Sequence, residues 1–345
     1  MNHQTNINHQ EYVALFQEKV ENGKVKCTLC PHECVLADGA TGICHARKNI
    51  AGTLFSLAYN RPCSINIDPI EKKPLFHFLP GQEILSIATA GCNFRCLNCQ
   101  NWQISQSSPL EQKYYQASPS EIISIALQQN VKMIAFTYTE PTIFYEYMID
   151  IARLAHEEGL KTAIVSNGYI NHQPLLELIP YVDAANIDLK CFRDSTYRKL
   201  TGGNLSSVLN TLKTLKENGV WLEITNLLIP QFNDDPEQIS EMCHWLADNG
   251  FKDTPLHFSK FFPTFKLNQI SPTPERLLKE AKRIALDTGI NYVYIGNIAH
   301  TDDENTYCPQ CQHLVVERWG FNVVKNNLKN GCCNFCGQSI PGVWD

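Results

Sequence analysis

The sequence predicts an α/β protein: a partial, TIM-like β/α barrel with a cysteine-rich segment before it and a zinc-ribbon-like appendage after it. Three observations carry this. Short β-branched or apolar runs alternate with amphipathic stretches through the middle of the chain, the pattern of repeated βα units around a parallel sheet. Eleven of the fifteen cysteines fall into three groups, one before that region, one at its start and one after it. The amphipathic stretches also open and close on cap signals. The expected organisation is an N-terminal metal-binding segment over 1–80, the barrel over 81–300 and a zinc-ribbon or rubredoxin-like module over 301–345.

The strands are expected at residues 84–90, 132–138, 162–166, 184–189, 221–228, 256–259 and 292–295. Ser118-Pro119-Ser120-Glu121 places a cap residue before a proline suited to a first helical turn, with a capping-box Glu three residues on. Asn218-Gly219 and Asn249-Gly250 read as helix ends running into strands. Six or seven such units favour a barrel over a flat doubly wound sheet, and in either the chemistry belongs at the C-terminal ends of the strands.

With 345 residues, 43% of them hydrophobic, the chain can bury a full core. Its net charge of −6 leaves no basic excess to neutralise phosphates, which argues against a nucleic-acid partner. The first ten residues are polar and no run approaches 18 apolar residues, so a cytoplasmic, soluble protein without a membrane span is expected. In a reducing cytosol, Cys-x-x-Cys groups read as metal or catalytic sites rather than disulfides.

The central group, Cys92, Cys96 and Cys99, follows directly on the first expected strand, so three thiols lie on one short loop at a strand's C-terminal end. Three thiolates on a four-iron cubane leave one iron without a protein ligand and able to bind a substrate. A zinc or electron-transfer site completed by a distant cysteine such as Cys63 is the alternative from spacing alone.

The Cys-x3-Cys-x2-Cys loop after a barrel strand resembles the hallmark of the radical S-adenosylmethionine (SAM) superfamily. That resemblance implies an iron-sulfur cluster of the [4Fe-4S] type, SAM chelated to the open iron, and reductive cleavage to methionine and a 5′-deoxyadenosyl radical. The stretch from Asp68 to Phe78, with Gly91 to Gln106 and the cysteines at both ends, resembles the AmmeMemoRadiSam-system enzymes, relatives of the pyruvate formate-lyase-activating enzymes. The resemblance runs from about Cys27 to Cys336.

It also implies site residues. Thr137-Tyr138-Thr139-Glu140-Pro141 stands where relatives carry Gly-Gly-Glu-Pro, which makes Glu140 a ligand of the methionyl amino group, although the two glycines are missing. Ser166-Asn167-Gly168 resembles a ribose-contacting turn, Asp188 and Lys190 match an Asp-x-Lys at the cofactor pocket, and His257 matches a pocket histidine. As plain sequence, Asn-Gly is also an ordinary turn, Asp188 and Lys190 an ordinary ion pair, and His257 an ordinary hydrogen-bonded neighbour. The residue before the third cysteine is usually aromatic and covers the adenine; here it is Asn98, so Phe94 or Trp102 must take over. Glu71, Lys72, Lys73 and His77 are too dense a charged group to be expected in a core; the resemblance puts them beside the active-site opening.

Cys308, Cys311, Cys333 and Cys336 form two knuckles around a strand-like run over 314–319, a zinc-ribbon pattern with a rubredoxin-like iron as runner-up. Cys332 competes for one place, but only Cys333 gives the two-residue spacing to Cys336. At the N-terminus Cys27, Cys30, Cys34 and Cys44 fit either tetrahedral zinc or a second iron-sulfur cluster, with His32 and His45 as substitutes. Cys243 is expected buried and inert, and Cys191 beside Lys190 is a minor candidate to face substrate.

The expected function is a radical SAM oxidoreductase that abstracts hydrogen from a protein or protein-bound substrate. The resemblance implies partners of Memo and Ammecr type and a reductant such as flavodoxin or ferredoxin. A glycyl-radical-enzyme activating enzyme and a non-enzymatic electron-transfer or metal-binding protein are the alternatives; the latter needs no SAM pocket. A zinc-ribbon nucleic-acid protein is disfavoured by charge.

Overall fold

The computed structural model describes residues 12–298 and 301–345. The polar first ten residues and the expected barrel boundary at residue 300 lie outside them. The central sheet has eight strands: β1 (Pro62–Pro69), β2 (Glu83–Thr89), β3 (Met133–Phe136), β4 (Lys161–Ser166), β5 (Ala184–Asp188), β6 (Trp221–Leu228), β7 (Leu256–Lys260) and β8 (Val293–Gly296). They lie in sequence order across the sheet. β1 runs antiparallel to β2, and every later pair is parallel. Among the described residues β8 does not pair back onto β1, so the barrel is open on one side.

Each parallel step is bridged by helix: α1 (Pro119–Gln128), α2 (Tyr145–Glu157), α3 (His172–Leu178), α4 (Asp194–Thr201) and α5 (Leu205–Glu217) together, α6 (Pro236–Asp248) and α7 (Glu275–Asp287). The helices start where the caps are. Ser118 N donates to the Glu121 carboxylate at 2.7 Å while Glu121 N donates back to Ser118 Oγ at 3.4 Å, closing a capping box. Asn204 caps α5 and Asp235 caps α6 in the same sense. Gly219 and Gly250, both at positive φ, stop α5 and α6.

The sheet has two differently packed faces. Leu85, Ile87, Ile134, Phe136, Ile164 and Ile187 pack outward onto the helices. On the other face the small Ala135, Ala163 and Ala184 leave room for Ile70, Leu75 and Phe78, which plug the barrel interior. The plug corrects the reading of 71–77 as a solvated charged group: Glu71, Lys73 and His77 are all buried. The expected boundary at residue 80 also cuts across this sheet, because β1 pairs with β2 along its length.

Before β1, short antiparallel strands fold residues 12–56 into a small module around Cys27. After β8, Thr306–Tyr307, Leu314–Trp319 and Asn322–Asn326 form a three-stranded antiparallel sheet, followed by a hairpin of Leu328–Lys329 and Cys332–Cys333. This ribbon grips the plug: Arg318 Nη2 donates to Phe76 O at 2.7 Å with its guanidinium 4.3 Å over the Phe76 ring, and Val343 exchanges backbone hydrogen bonds with His77 and Leu79. No helix among the described residues is long and apolar enough to cross a membrane.

Candidate active site at the strand ends

The loop after β2 is pinned at several backbone points. Gly91 N donates to Ile104 O, Arg95 N to Thr201 O and Leu97 N to Leu200 O, so the end of α4 holds the loop from behind. Cys92, Cys96 and Cys99 face a cavity of about 250 Å³ on this rim, and no other cysteine lines it. Burial pushes the Cys96 thiol up to about 12, against the pull of Lys190, and lifts Cys92 well above its ordinary value. Loading a metal there must therefore displace protons.

Of the expected cofactor residues, Asn167, Asp188 and Lys190 line the same cavity. Asp188 and Lys190 form an ion pair at 2.6 Å. Burial works against the Lys190 ammonium, but Asp188 and Cys96 outweigh it and hold its pKa above the usual lysine value. Asn167 Nδ2 donates to Asn93 Oδ1 at 2.8 Å and lies 3.9 Å from Cys92 Sγ, while its Oδ1 accepts from Tyr169 N. Asn98 lines the cavity too, and its buried Oδ1 has no partner. Phe94 lines the cavity; Trp102 does not, and stacks on Phe265 at 5.2 Å instead.

Glu140 and Ser166 lie one layer behind the cavity. The fully buried Glu140 carboxylate accepts from Thr142 N (3.0 Å), Thr142 Oγ1 (2.7 Å), Ser166 Oγ (2.8 Å) and Asn167 N (2.8 Å). Burial raises its pKa, and these donors oppose the rise. Where the resemblance would put a glycine, Tyr138 takes φ +64 and so keeps the left-handed turn at a strained cost.

His257 belongs to a neighbouring chamber of about 440 Å³, which shares Gln100, Asn101, Tyr138, Ser259 and Asn297 with the first. Its Nε2 meets Glu223 at 2.7 Å. The Glu223 carboxylate is held below its usual range, burial being outweighed by His257 and by His77. The same chamber exposes Lys72 and Lys73, which both bind Asp68, at 2.7 and 2.6 Å. Burial lowers Lys73 to about 8. His77 Nδ1 sits 2.7 Å from Pro341 O and Nε2 2.6 Å from the Tyr294 hydroxyl; burial lowers its pKa to about 4, so the neutral ring donates from Nδ1 and accepts at Nε2.

Sequence reasoning missed Thr225, Leu227, Ser259 and Asn297, which complete the rim. Their signal was position alone: Thr225 pairs in register with Asp188, Leu227 and Ser259 pair with each other two residues further along β6 and β7, and Asn297 follows directly on β8. Cys191 and Cys243 are buried and outside the cavity.

At the C-terminal ribbon, Cys308 and Cys336 sulfurs lie 3.6 Å apart and those of Cys311 and Cys333 3.7 Å apart. Tetrahedral zinc with bonds of about 2.3 Å sets sulfurs about 3.8 Å apart, so this set is already metal-shaped, with Cys333 rather than Cys332 inside it.

Comparison with known proteins gives the family. A family model described as the radical SAM superfamily matches residues 86–246. An uncharacterized protein of Methanocaldococcus jannaschii is 44% identical over 332 residues, 96% of this chain and 99% of that one. The pyruvate formate-lyase-activating enzyme of Clostridium pasteurianum is 25% identical over 163 residues, 45% of this chain and 65% of that enzyme, so its likeness is confined to part of each. Among solved structures, a domain of a pyruvate-formate lyase-activating enzyme from Bacteroides vulgatus superposes with a TM-score of 0.42 at 19% identity, over 47% of this chain and 98% of that one. With its three-cysteine loop at the head of an open β/α barrel, the chain belongs to the radical SAM superfamily and is an iron-sulfur, SAM-dependent enzyme related to the pyruvate formate-lyase-activating enzymes.

Proposed function

We propose that this enzyme cleaves SAM reductively at Cys92, Cys96 and Cys99 and abstracts hydrogen from a protein or protein-bound substrate. The single observation that carries the reading is the cavity itself: three thiols, no fourth cysteine, and Asn167, Asp188 and Lys190 facing the same space. The cavity fits the cofactor in one further respect, since the unpartnered Asn98 Oδ1 is a buried acceptor that a ligand N–H would satisfy. When bound, the reduced cluster supplies one electron to the sulfonium, releasing methionine and a 5′-deoxyadenosyl radical.

The chain's own residues bind, orient and shield. Lys190 stays charged and fixes a carboxylate edge; Asp188 anchors Lys190 and accepts from hydroxyls. Glu140 acts as a positioning residue through the backbone of Asn167. Phe94 supplies the apolar wall that Asn98 does not. The chamber of Lys72, Lys73 and His257 shares Tyr138 and Asn297 with the cavity, which favours it for the substrate's reacting group.

A protein substrate is favoured by the relation to activating enzymes whose names identify pyruvate formate-lyase as their target. Memo-type and Ammecr-type proteins are the proposed partners, and a flavodoxin or ferredoxin the reductant. On the same relation, a glycyl-radical-enzyme activating role is the second reading; a glycyl radical signal in a partner after incubation would select it. The ribbon cysteines hold zinc and do no chemistry, and Cys27, Cys30, Cys34 and Cys44 hold a metal centre. Domains over 1–80, 81–300 and 301–345 remain the proposed units of function, with β1 lent to the barrel.

Anaerobic incubation with SAM and dithionite tests the core of this. Wild type should form 5′-deoxyadenosine and show a SAM-dependent change in the spectrum of its reduced cluster. The C92A/C96A/C99A variant should show neither, and undiminished product from it would overturn the assignment.

A further inference from the structure

We infer that Cys27, Cys30, Cys34 and Cys44 hold a second four-iron cluster rather than zinc, seated directly against the loop that carries Cys92. The four thiols ring a small apolar cavity with Leu29, Ile43 and Ile143. None is in a disulfide. Gly42 closes over the ring, since a Cβ there would lie 3.7 Å from Cys44 Sγ and 3.8 Å from Cys34 Sγ.

Sulfur spacing separates the two metals. One ion draws its ligands to a single point, and the ribbon shows this: its four sulfurs lie within 4.8 Å of one another. A cubane binds each thiolate at a different iron corner and spreads them wider. Among the described residues, no three of the N-terminal set meet the single-ion spacing, and neither do Cys92, Cys96 and Cys99. The N-terminal set therefore falls outside the single-ion spacing that the ribbon meets, as the loop of Cys92, Cys96 and Cys99 does.

The buried Arg47, itself paired with the Glu146 carboxylate, donates to Cys27 Sγ at 3.8 Å and gives that sulfur a hydrogen-bond partner.

The position is equally specific. A Cβ on Gly91, which sits at φ +105, would come 2.5 Å from Cys44 O, so only glycine lets the two loops touch. A His32 ring nitrogen lies 2.7 Å from Asn93 O, and Asn93, the residue after Cys92, lines the N-terminal cavity. The cluster itself does not depend on the radical SAM reading; its adjacency to a second cluster does.

The test is metal and sulfide counting with electron paramagnetic resonance, on full-length protein reconstituted anaerobically with ferrous iron and sulfide. Wild type should hold about eight irons and one zinc per chain, and its reduced signal should be broadened by coupling between neighbouring clusters. C92A/C96A/C99A should keep about four irons, with a reduced signal that SAM leaves unchanged. C30A/C34A should keep about four irons with a signal that SAM shifts. A wild-type protein with about four irons and two zincs, or a triple variant with zinc and no iron, would overturn the inference, and the wild-type count decides even if C30A/C34A fails to fold. Iron in the triple variant alongside a wild type that cleaves no SAM would instead remove the proposed function and leave this cluster standing.

Discussion

Glu140 accepts four hydrogen bonds while fully buried, so the Glu140→Gln change turns an acceptor-only group into one that presents an N–H to donors. It should lower stability by about 2 kcal/mol and weaken SAM binding by displacing Asn167. Calorimetric titration with SAM and thermal unfolding check both; a stability loss with unchanged affinity would leave Glu140 a purely structural residue. His77 makes a prediction in pH. Its folded pKa of about 4 lies below the ordinary 6.5, so between those values the unfolded chain binds the extra proton. Stability from this group is complete above pH 6.5 and is lost as pH falls towards 4, by about 3 kcal/mol. Gln at position 77 can donate to Pro341 O and accept from Tyr294 without titrating, so H77Q should show a shallower loss over that window in urea unfolding. An identical slope would mean that His77 is not neutral in the folded state.

The strands and helices were legible because their signals are local. Expected and observed strand limits differ by at most two residues, and the capping box at Ser118 formed as expected. The layering behind the rim was not legible. Glu140 and Ser166 read as ligands because they stand at strand ends, but behind the rim they meet each other, Ser166 Oγ donating to Glu140 at 2.8 Å, a pairing that no spacing reveals. The plug was hidden for a different reason: Glu71 is opposed by Arg318 and His77 by Tyr294 and Pro341, partners more than 200 residues away in sequence. A prediction belongs to the junction of α4 and α5. A Cβ on Gly203 would come 2.3 Å from Phe94 Cε1, so G203A must push Phe94 towards the cavity. We expect a loss of about 1–3 kcal/mol and weaker SAM affinity, read by thermal unfolding and equilibrium binding. Full retention of both would show that the wall is free to yield.

Taken as one molecule, the open barrel is braced by its flanking modules. The N-terminal module abuts the cysteine loop, and the ribbon holds the plug beneath the chamber through Arg318 and Val343. Removing the ribbon metal in a C308S/C336S variant should therefore lower the melting temperature and raise hydrogen exchange across residues 70–79. Zinc should fall by one equivalent while 5′-deoxyadenosine is still formed; unaltered exchange in the plug would break the link between ribbon and chamber. The same clasp bears on how the polypeptide acquires its structure. β2 to β5 assemble from neighbours close in sequence and the cysteine loop from partners as far on as Leu200 and Thr201, but Phe76 meets Arg318 only across 242 residues and His77 meets Pro341 across 264. Contacts that close such long loops form late and slowly. During synthesis and refolding, we expect the strand-end rim to take shape before the floor of the neighbouring chamber, with docking of the ribbon as the completing step.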